Sequence, residues 1–369
     1  MIMENIRLQR GQEIANKPNQ ITRVDENTYK VRSQSSNNQY DVISTEKCWI
    51  CSCPDYTNRH INCKHILAVE ISFELRKTVA SEIIIPQINL SSCPQCQSQL
   101  IVKDGLRHNK YGDIQRFTCK NCFKRFTINL GFERMHATPQ VITSAMQLYF
   151  TGESFRNVQK FLKLQRVNVS HMGVYKWINK YVKLMEKYLD KIKPNVSHVW
   201  RTDELYLKVK GNTKYLFALM DDETRFWIAQ QVSDSKNTSD IRPLFNEAKE
   251  IAGKNPNVII SDGARNFHDA FNKEFFTLKN PRTKHVQHIR LAGDIHNNKM
   301  ERFNGEVRDR EKVMRGLKSA NTPILTGYQI YHNYLRPHEG LDNKTPAEAC
   351  GIKIEGKNKW ITIIENASK

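Results

Sequence analysis

Two tight cysteine clusters constrain this chain more than any other feature. The first, CWICSCPDYTNRHINCKH at residues 48–65, holds Cys51-x-Cys53 and, after nine more residues, Cys63-x-His65. The second is CPQC at 93–96 and CKNC at 119–122, two C-x-x-C pairs with 22 residues between them. A short loop can bring two such pairs into one tetrahedron, so each cluster reads as the ligand set of one structural Zn²⁺. The chain opens on polar MIMENIRLQRGQEIANK, not on an apolar leader, and no run is long enough to span a bilayer. A reducing cytoplasm, with association to the nucleoid, is therefore the expected location, and metal the expected use of the thiols.

The flanks of each cluster refine the reading. Tyr29 and Val31, then Tyr40 and Val42, alternate with polar residues as half-buried strands do, while HILAVEISFELRK has helical spacing with His65 in its first turn. Strands, then C-x-C, then C-x-H opening a helix, closely resemble the SWIM zinc finger, a module that binds DNA or protein. Cys48 forms a competing C-x-x-C with Cys51, which leaves two ligand sets open. The second cluster reads as a zinc ribbon. Arg107, His108, Lys110, Arg116, Lys120, Lys124 and Arg125 crowd it, with Phe117, Phe123 and Phe126 interleaved, as on a surface that tracks a nucleic-acid backbone. Net charge agrees: 57 Lys and Arg against 38 Asp and Glu give +19 over 369 residues. That excess favours a polyanionic partner, and the length calls for two to four domains.

Residues 139–189 show no strand alternation and read as three helices. Pro139 fits a first turn, Ser154 an N-cap, and Val174, Trp177, Ile178 and Tyr181 one apolar face of a third helix starting near Ser170. Ten Lys or Arg against two acids between 154 and 193 suit a helix-turn-helix with its last helix in a major groove. They suit a small bundle with a basic face as well. On the first reading Asn168, Ser170, His171, Tyr175, Lys176 and Asn179 are the candidate DNA contacts.

After Pro194 the texture changes. VWRTDELYLKVKG, TKYLFALMDDE and TRFWIAQQVS read as an antiparallel meander. Helix, the apolar run NVIISDG, helix, a short strand near TKHVQHI and a long last helix follow. Three antiparallel strands and then alternating α and β is the order of the ribonuclease H-like fold. Asp203 interrupts the first strand and Asp262 ends the buried one, where open α/β sheets place their sites. MDDET, with Asp221 and Asp222, reads simply as a turn.

TDE at 202–204, SDG at 261–263 and NNKMERFNGEVR at 297–308 look like the three carboxylate motifs of DDE-type insertion-sequence transposases, which have a retroviral-integrase-like core. YHNYLRPHEGLDNKTPAEA at 331–349 resembles the stretch that closes that core. The resemblance implies a multidomain protein. Residues 1–85 would be a SWIM domain, 88–130 a zinc ribbon, 136–193 an all-α helix-turn-helix, 194–350 a mixed α/β sheet flanked by helices, and 351–369 a C-terminal tail. It implies that Asp203, Asp262 and Glu301 hold two Mg²⁺ ions, or Mn²⁺, for phosphoryl transfer on DNA. The partners implied are terminal inverted repeats, target DNA and further copies of the chain in a synaptic complex, with no membrane. A silent, domesticated zinc regulator and another ribonuclease H-like nuclease are the competing functions.

On a helical wheel the stretch HNNKMERFNGEVRDREK has three stripes. Met300, Phe303, Val307 and Met314 make an apolar seam. Arg302, Glu306, Asp309 and Arg310 fall on a far side expected to be solvated. Asn297, Glu301, Asn304 and Arg308 border the seam, with Glu301 as the expected ligand, Gly305 leaving room beside it, and Asn304 and Arg308 turned to DNA.

Overall fold

The computed structural model describes the chain apart from residues 1, 18–19, 25–26, 35–37, 46–47, 80–81, 89–91, 110–111, 128–129, 278–281, 288–297, 314–316 and 318–321. Lys110, Asn297 and Met314 lie outside the described residues.

Helix α1 (Ile2–Asn16) precedes four strands, β1 (Ile21–Arg23), β2 (Thr28–Arg32), β3 (Gln39–Ser44) and β4 (Trp49–Cys51), which pair in sequence order. Helices α2 (Pro54–Arg59) and α3 (Lys64–Val79) complete the unit. Tyr29, Val31 and Val42 point into a core shared with Ile14, Ile66 and Val69, so the alternation seen in the sequence is the inward face of the sheet. The first helix has no strong apolar stripe, and its place comes from packing on α3 and from Arg7, bonded to Asp55 through two 3.0 Å contacts. A short strand, β5 (Ile83–Ile85), leads to the ribbon of β6 (Ile101–Asn109), β7 (Gly112–Cys119) and β8 (Arg125–Thr127), all antiparallel.

Three helices follow: α4 (Pro139–Thr151), α5 (Phe155–Leu164) and α6 (His171–Leu189). Each begins on a hydroxyl cap, since the side chains of Thr138, Ser154 and Ser170 accept from Val141, Asn157 and Gly173 backbone N–H groups. Val174, Ile178 and Tyr181 are fully buried, the face expected of α6.

The largest sheet among the described residues consists of β9 (Val199–Val209), β10 (Asn212–Asp221), β11 (Trp227–Ser233), β12 (Val258–Ser261) and β13 (Lys284–Gln287), in the order β11-β10-β9-β12-β13. The first three are antiparallel, while β12 runs parallel to both β9 and β13. Lys210 and Gly211 close the β9–β10 hairpin with φ of 52° and 83°, the left-handed pair that a two-residue turn needs to match strand twist. The continuous run Val258–Ser261 is buried at every position, as a central parallel strand must be. Helices α7 (Thr238–Ala252), α8 (Arg265–Phe275) and α9 (Asn298–Glu311) flank the sheet. The architecture is multidomain, with a ribonuclease H-like core.

The C-terminal residues are folded rather than a loose tail. Helix α10 (Pro323–Ile330), a π-helical turn at Tyr331–Leu335, α11 (Pro346–Ala349), β14 (Ile352–Ile354) and α12 (Lys359–Ala367) wrap the three helices. Phe150 of α4 stacks on Tyr331 and Trp360, with ring centres 6.2 and 5.7 Å apart. Gly327 of α10 permits this approach, because a Cβ there would lie 2.5 Å from the Phe150 ring. Strand β14 pairs in parallel with β5. One hydrophobic core therefore runs from α4–α6 through the sheet to α12, and the helical segment and the tail do not have cores of their own.

Acids in this core couple stability to pH. Burial, then Asp190 and Glu250, push half-buried Glu247 of α7 up to about 7. The folded chain thus keeps a proton that the unfolded chain gives up near pH 4.5, so this contribution is fully present below that pH and is lost as pH rises through 7. Allowing for partial exposure, the loss is roughly 2 kcal/mol. Glu247→Gln is expected to flatten the fall in Tm between pH 4.5 and 7; a Tm profile unchanged by the substitution would remove Glu247 as its source.

Candidate active site and zinc centres

Strand β9 carries Asp203 beside the end of β12, after which Asp262 follows. Asp203 is half-buried, and its pKa is pushed up to about 6 by burial first and by the charges of Asp262 and Glu204 besides. Two bonds oppose that shift: Glu204 N–H donates to Oδ1 at 2.8 Å, and the Asn304 side-chain amide of α9 donates to Oδ2 at 2.8 Å. Asp262 is exposed, and its Oδ1 accepts from Ala264 N–H at 3.0 Å. Glu301 is exposed in the first turn of α9, one turn before Asn304. The fold thus sets Asp203 and Asp262 against each other and brings Glu301's helix onto Asp203. The three carboxylates do not converge as closely as the thiol clusters, which among the described residues are the groups with ligand atoms within 4.8 Å of one another. Gly305 leaves open space, for a Cβ there would meet nothing within 4 Å.

Several residues depart from the wheel. Asn304 is 4% exposed and bonded to Asp203, so it does not face DNA as expected. Arg310 is 3% exposed, not solvated, because α4 covers that side of α9 and Tyr149 lies 4.2 Å beneath the guanidinium. Glu306 is held by Arg336 through bonds of 2.6 and 2.9 Å. Arg308 is exposed as expected. The MDDET turn exists, yet Asp221 and Asp222 are both fully buried. Asp221 accepts from Ser197 and Thr224 backbone and hydroxyl groups, and burial pushes it up to about 6. Asp222 pairs with Arg201 and Lys299, tying β9, β10 and α9 together.

Sequence reasoning did not single out the histidines behind Asp262. The Ser261 hydroxyl lies 2.9 Å from His285 Nε2, and His285 Nδ1 lies 3.3 Å from His268 Nδ1. Burial, then His268, push His285 down to about 4 despite the opposing charge of Asp262. No local motif marks this chain of contacts, because it joins the end of β12 to α8 and β13.

In the first cysteine cluster Cys51, Cys53, Cys63 and His65 converge, all buried. His65 Nδ1 is 3.9 Å from both Cys51 and Cys63 Sγ, close to the roughly 3.8 Å edge of a tetrahedron with 2.3 Å bonds. Cys48 stands outside, exposed and bonded to Thr45, and is not among the four side chains that converge. Cys93, Cys96, Cys119 and Cys122 converge likewise, with Cys93–Cys122 and Cys96–Cys119 sulfurs 3.6 Å apart. On the ribbon, Phe117 and Phe126 stack on each other at 6.1 Å, while Phe123 is 79% exposed.

Along α6, Lys176 is exposed and His171, Tyr175 and Asn179 are half-buried. Ser170 caps the helix, Asn179 donates to the Tyr175 carbonyl at 2.8 Å, and Tyr175 meets Phe155 edge-on at 5.5 Å. Asn168 is exposed just before the cap. Among the described residues no helix is long and apolar enough to cross a membrane.

A family model described as a DDE domain matches residues 197–338, and one described as a SWIM zinc finger matches residues 46–74. The transposase for insertion sequence-like element IS431mec of Staphylococcus aureus strain Mu50 is 25% identical over 211 residues, covering 54% of this chain and 87% of that protein. The Staphylococcus aureus transposase for insertion sequence element IS257 in transposon Tn4003 gives the same figures, 25% over 211 residues, 54% and 87%. The HTLV-2 integrase catalytic core domain in complex with magnesium aligns at 17% identity and TM-score 0.29, over 42% of this chain and 95% of that one. The chain thus carries a DDE domain over residues 197–338, on a five-stranded mixed sheet of ribonuclease H-like order, with a SWIM zinc finger in front of it.

Proposed function

We propose that this protein moves an insertion sequence: it binds the terminal inverted repeats, cuts DNA at the element's ends and joins the freed 3′-OH to target DNA. The observation that carries the reading is the pair Asp203 and Asp262, two acids set against each other at the sheet's centre, where their charges repel unless a cation lies between them. That repulsion, and an all-oxygen donor set completed by Glu301, fit a hard divalent ion such as Mg²⁺. Two such ions, when bound, would activate the attacking oxygen and stabilise the leaving one. The chain's own part is to hold and aim the acids. Asn304 fixes one Asp203 oxygen, and Lys299 pins the start of α9 to Asp222. Arg308, about 10 Å along the helix from Glu301, reaches for a DNA phosphate.

The S₃N and S₄ donor sets fit Zn²⁺ held structurally, and the ribbon and α6 present the basic surface for the repeats. Exposed Lys176, with His171 and Tyr175, would sit at the groove, while Ser170 and Asn179 act on the helix itself. Joining two element ends calls for more than one copy of the chain, so a homo-oligomer is expected in the synaptic complex.

The direct test is strand transfer. The protein, Mg²⁺ and DNA carrying the element's ends should give new 3′-ends and joined products; bound but intact DNA under these conditions would overturn the reading in favour of a silent DNA-binding protein. Asn304→Ala is expected to slow single-turnover cleavage about 10- to 100-fold, as the loss of a group orienting a metal ligand does, with DNA affinity unchanged. An affinity loss without a rate loss would place Asn304 on DNA instead.

A further inference from the structure

The face of α9 turned away from Asp203, expected from the sequence to be plain solvated surface, closes a cleft that shares only Lys299 with the chemistry above. Its volume is about 310 Å³, in the range of sites that hold a small organic ligand. Arg225, Lys299, Arg302 and Arg336 stand around it, against the acids Glu306 and Glu339. Two of these cations are committed, Lys299 to Asp222 at 3.0 Å and Arg336 to Glu306 at 2.6 Å. Arg302 has Glu306 at 3.9 Å, already shared with Arg336, and Arg225 forms no ion pair among the described residues. Yet Arg225 is firmly placed. Its backbone is left-handed at φ 57°, and Gly340 backs the guanidinium so closely that a Cβ there would fall on it.

The floor is aromatic and oddly unsatisfied. His332 and His338 are 2% and 9% exposed, and their rings meet edge-on at 4.7 Å, with Phe303 beside His332 at 5.4 Å. His332 Nε2–H donates to the Arg225 carbonyl at 3.0 Å, which fixes the tautomer and leaves Nδ1 a bare acceptor. Neither His332 Nδ1 nor His338 Nε2 has a hydrogen-bond partner among the described residues, although both are buried. Burial and the neighbouring arginines push the two imidazoles down to about 3 and about 4, so at neutral pH both present lone pairs. Buried acceptors call for donors, and two guanidinium groups with one shared carboxylate between them, Arg302 at 3.9 Å from Glu306 and Arg225 with no ion pair among the described residues, call for a phosphate.

We propose that this cleft takes one nucleotide of a DNA strand, its phosphate on Arg225 and Arg302 and the N–H edge of its base over His332 and His338. The transposase reading enters only in making DNA the source of the nucleotide. The first arm of the test needs no element DNA: 2-aminopurine deoxyriboside 5′-monophosphate is titrated into the full chain, followed by fluorescence. Saturable quenching is expected, weakened at least tenfold by Arg302→Gln, a change at an exposed side chain that leaves the fold alone, and by Gly340→Ala, which displaces Arg225. Inorganic phosphate should compete weakly. No saturable quenching, equal affinity in both variants, or phosphate competing as well as the nucleotide would each overturn the proposal. In the second arm, Arg302→Gln should lower the salt slope of DNA binding by about one, as the loss of a single phosphate contact does. An unchanged slope alongside weakened mononucleotide binding would make the occupant a free nucleotide and overturn the DNA assignment. Asp262→Asn should leave nucleotide affinity as it is, so failure of the catalytic reading and failure of this one are told apart.

Discussion

Asp262→Asn is expected to leave DNA bound and uncut. The substitution keeps the shape of the side chain and removes the charge that faces Asp203, so the ion-binding pair loses half its field while α6, the ribbon and the fold stay as they are. Asp262 is exposed at the end of β12 and has no packing role to lose. Its Oδ1 accepts from Ala264 N–H, and the asparagine amide oxygen can take over that bond. A fall in strand-transfer rate of about 10³-fold, equivalent to roughly 4 kcal/mol of transition-state stabilisation, is the expected size, with DNA affinity within twofold of wild type. Gels of end cleavage and joining, beside a binding isotherm on the same DNA, check both halves. Identical product yields from the two proteins would end the two-metal reading of this site.

Removing zinc should unfold the front of the molecule and spare the rest. Among the described residues, ten buried side chains make up the hydrophobic cluster of the β1–β4 unit, and three of them are the cysteines Cys51, Cys53 and Cys63. So small a core cannot offset the entropy of ordering its chain without the metal, and structural zinc typically supplies about 10–16 kcal/mol of folding free energy. After chelation, amide protons of β2 and β3 are expected to exchange as in an unfolded chain, whereas those of β9 and β12, in the large core, keep their protection. Hydrogen exchange followed by mass spectrometry separates the two regions, and Cys63→Ser should reproduce the effect without chelator. Full protection of β2 and β3 in a preparation shown to be zinc-free would mean that the thiols are ordinary core residues.

How much of this was legible in the sequence depended on how local each determinant is. The helix caps, the inward faces of β2 and β3, the buried run of β12 and both thiol clusters are written in neighbouring residues, and all could be located before the structure. The parallel pairing of β5 with β14 could not. Three residues on each side carry too little pattern, and the partners Ile83 and Ile352 are 269 residues apart. Asp221 and Asp222 failed for a related reason. MDDET has the composition of a turn and is one, but Asp221 is buried against Ser197 and Asp222 against Arg201 on β9 and Lys299 on α9, the last 77 residues away. Arg310 was assigned to solvent because a wheel knows one helix at a time, and α4, with Tyr149, covers that face. The acids proposed as catalytic lie between these cases: motif and strand ends pointed to Asp203, Asp262 and Glu301, while Asn304, which donates to Asp203, lies on the expected stripe with a different partner from the one expected.

The β5–β14 pairing has a consequence for how such a molecule can be cut and recombined. Because residues 83–85 are a strand of the large unit, the unit of exchange that folds as one piece runs from there to the C-terminus. The ribbon is then a finger inserted between two anchored points, not a bead on a string. The SWIM module, whose hydrophobic cluster among the described residues is separate from the large core, is a piece that one crossover could shed or trade. A shuffling event placed at residue 194, where the texture of the sequence changes, would tear one hydrophobic core in two.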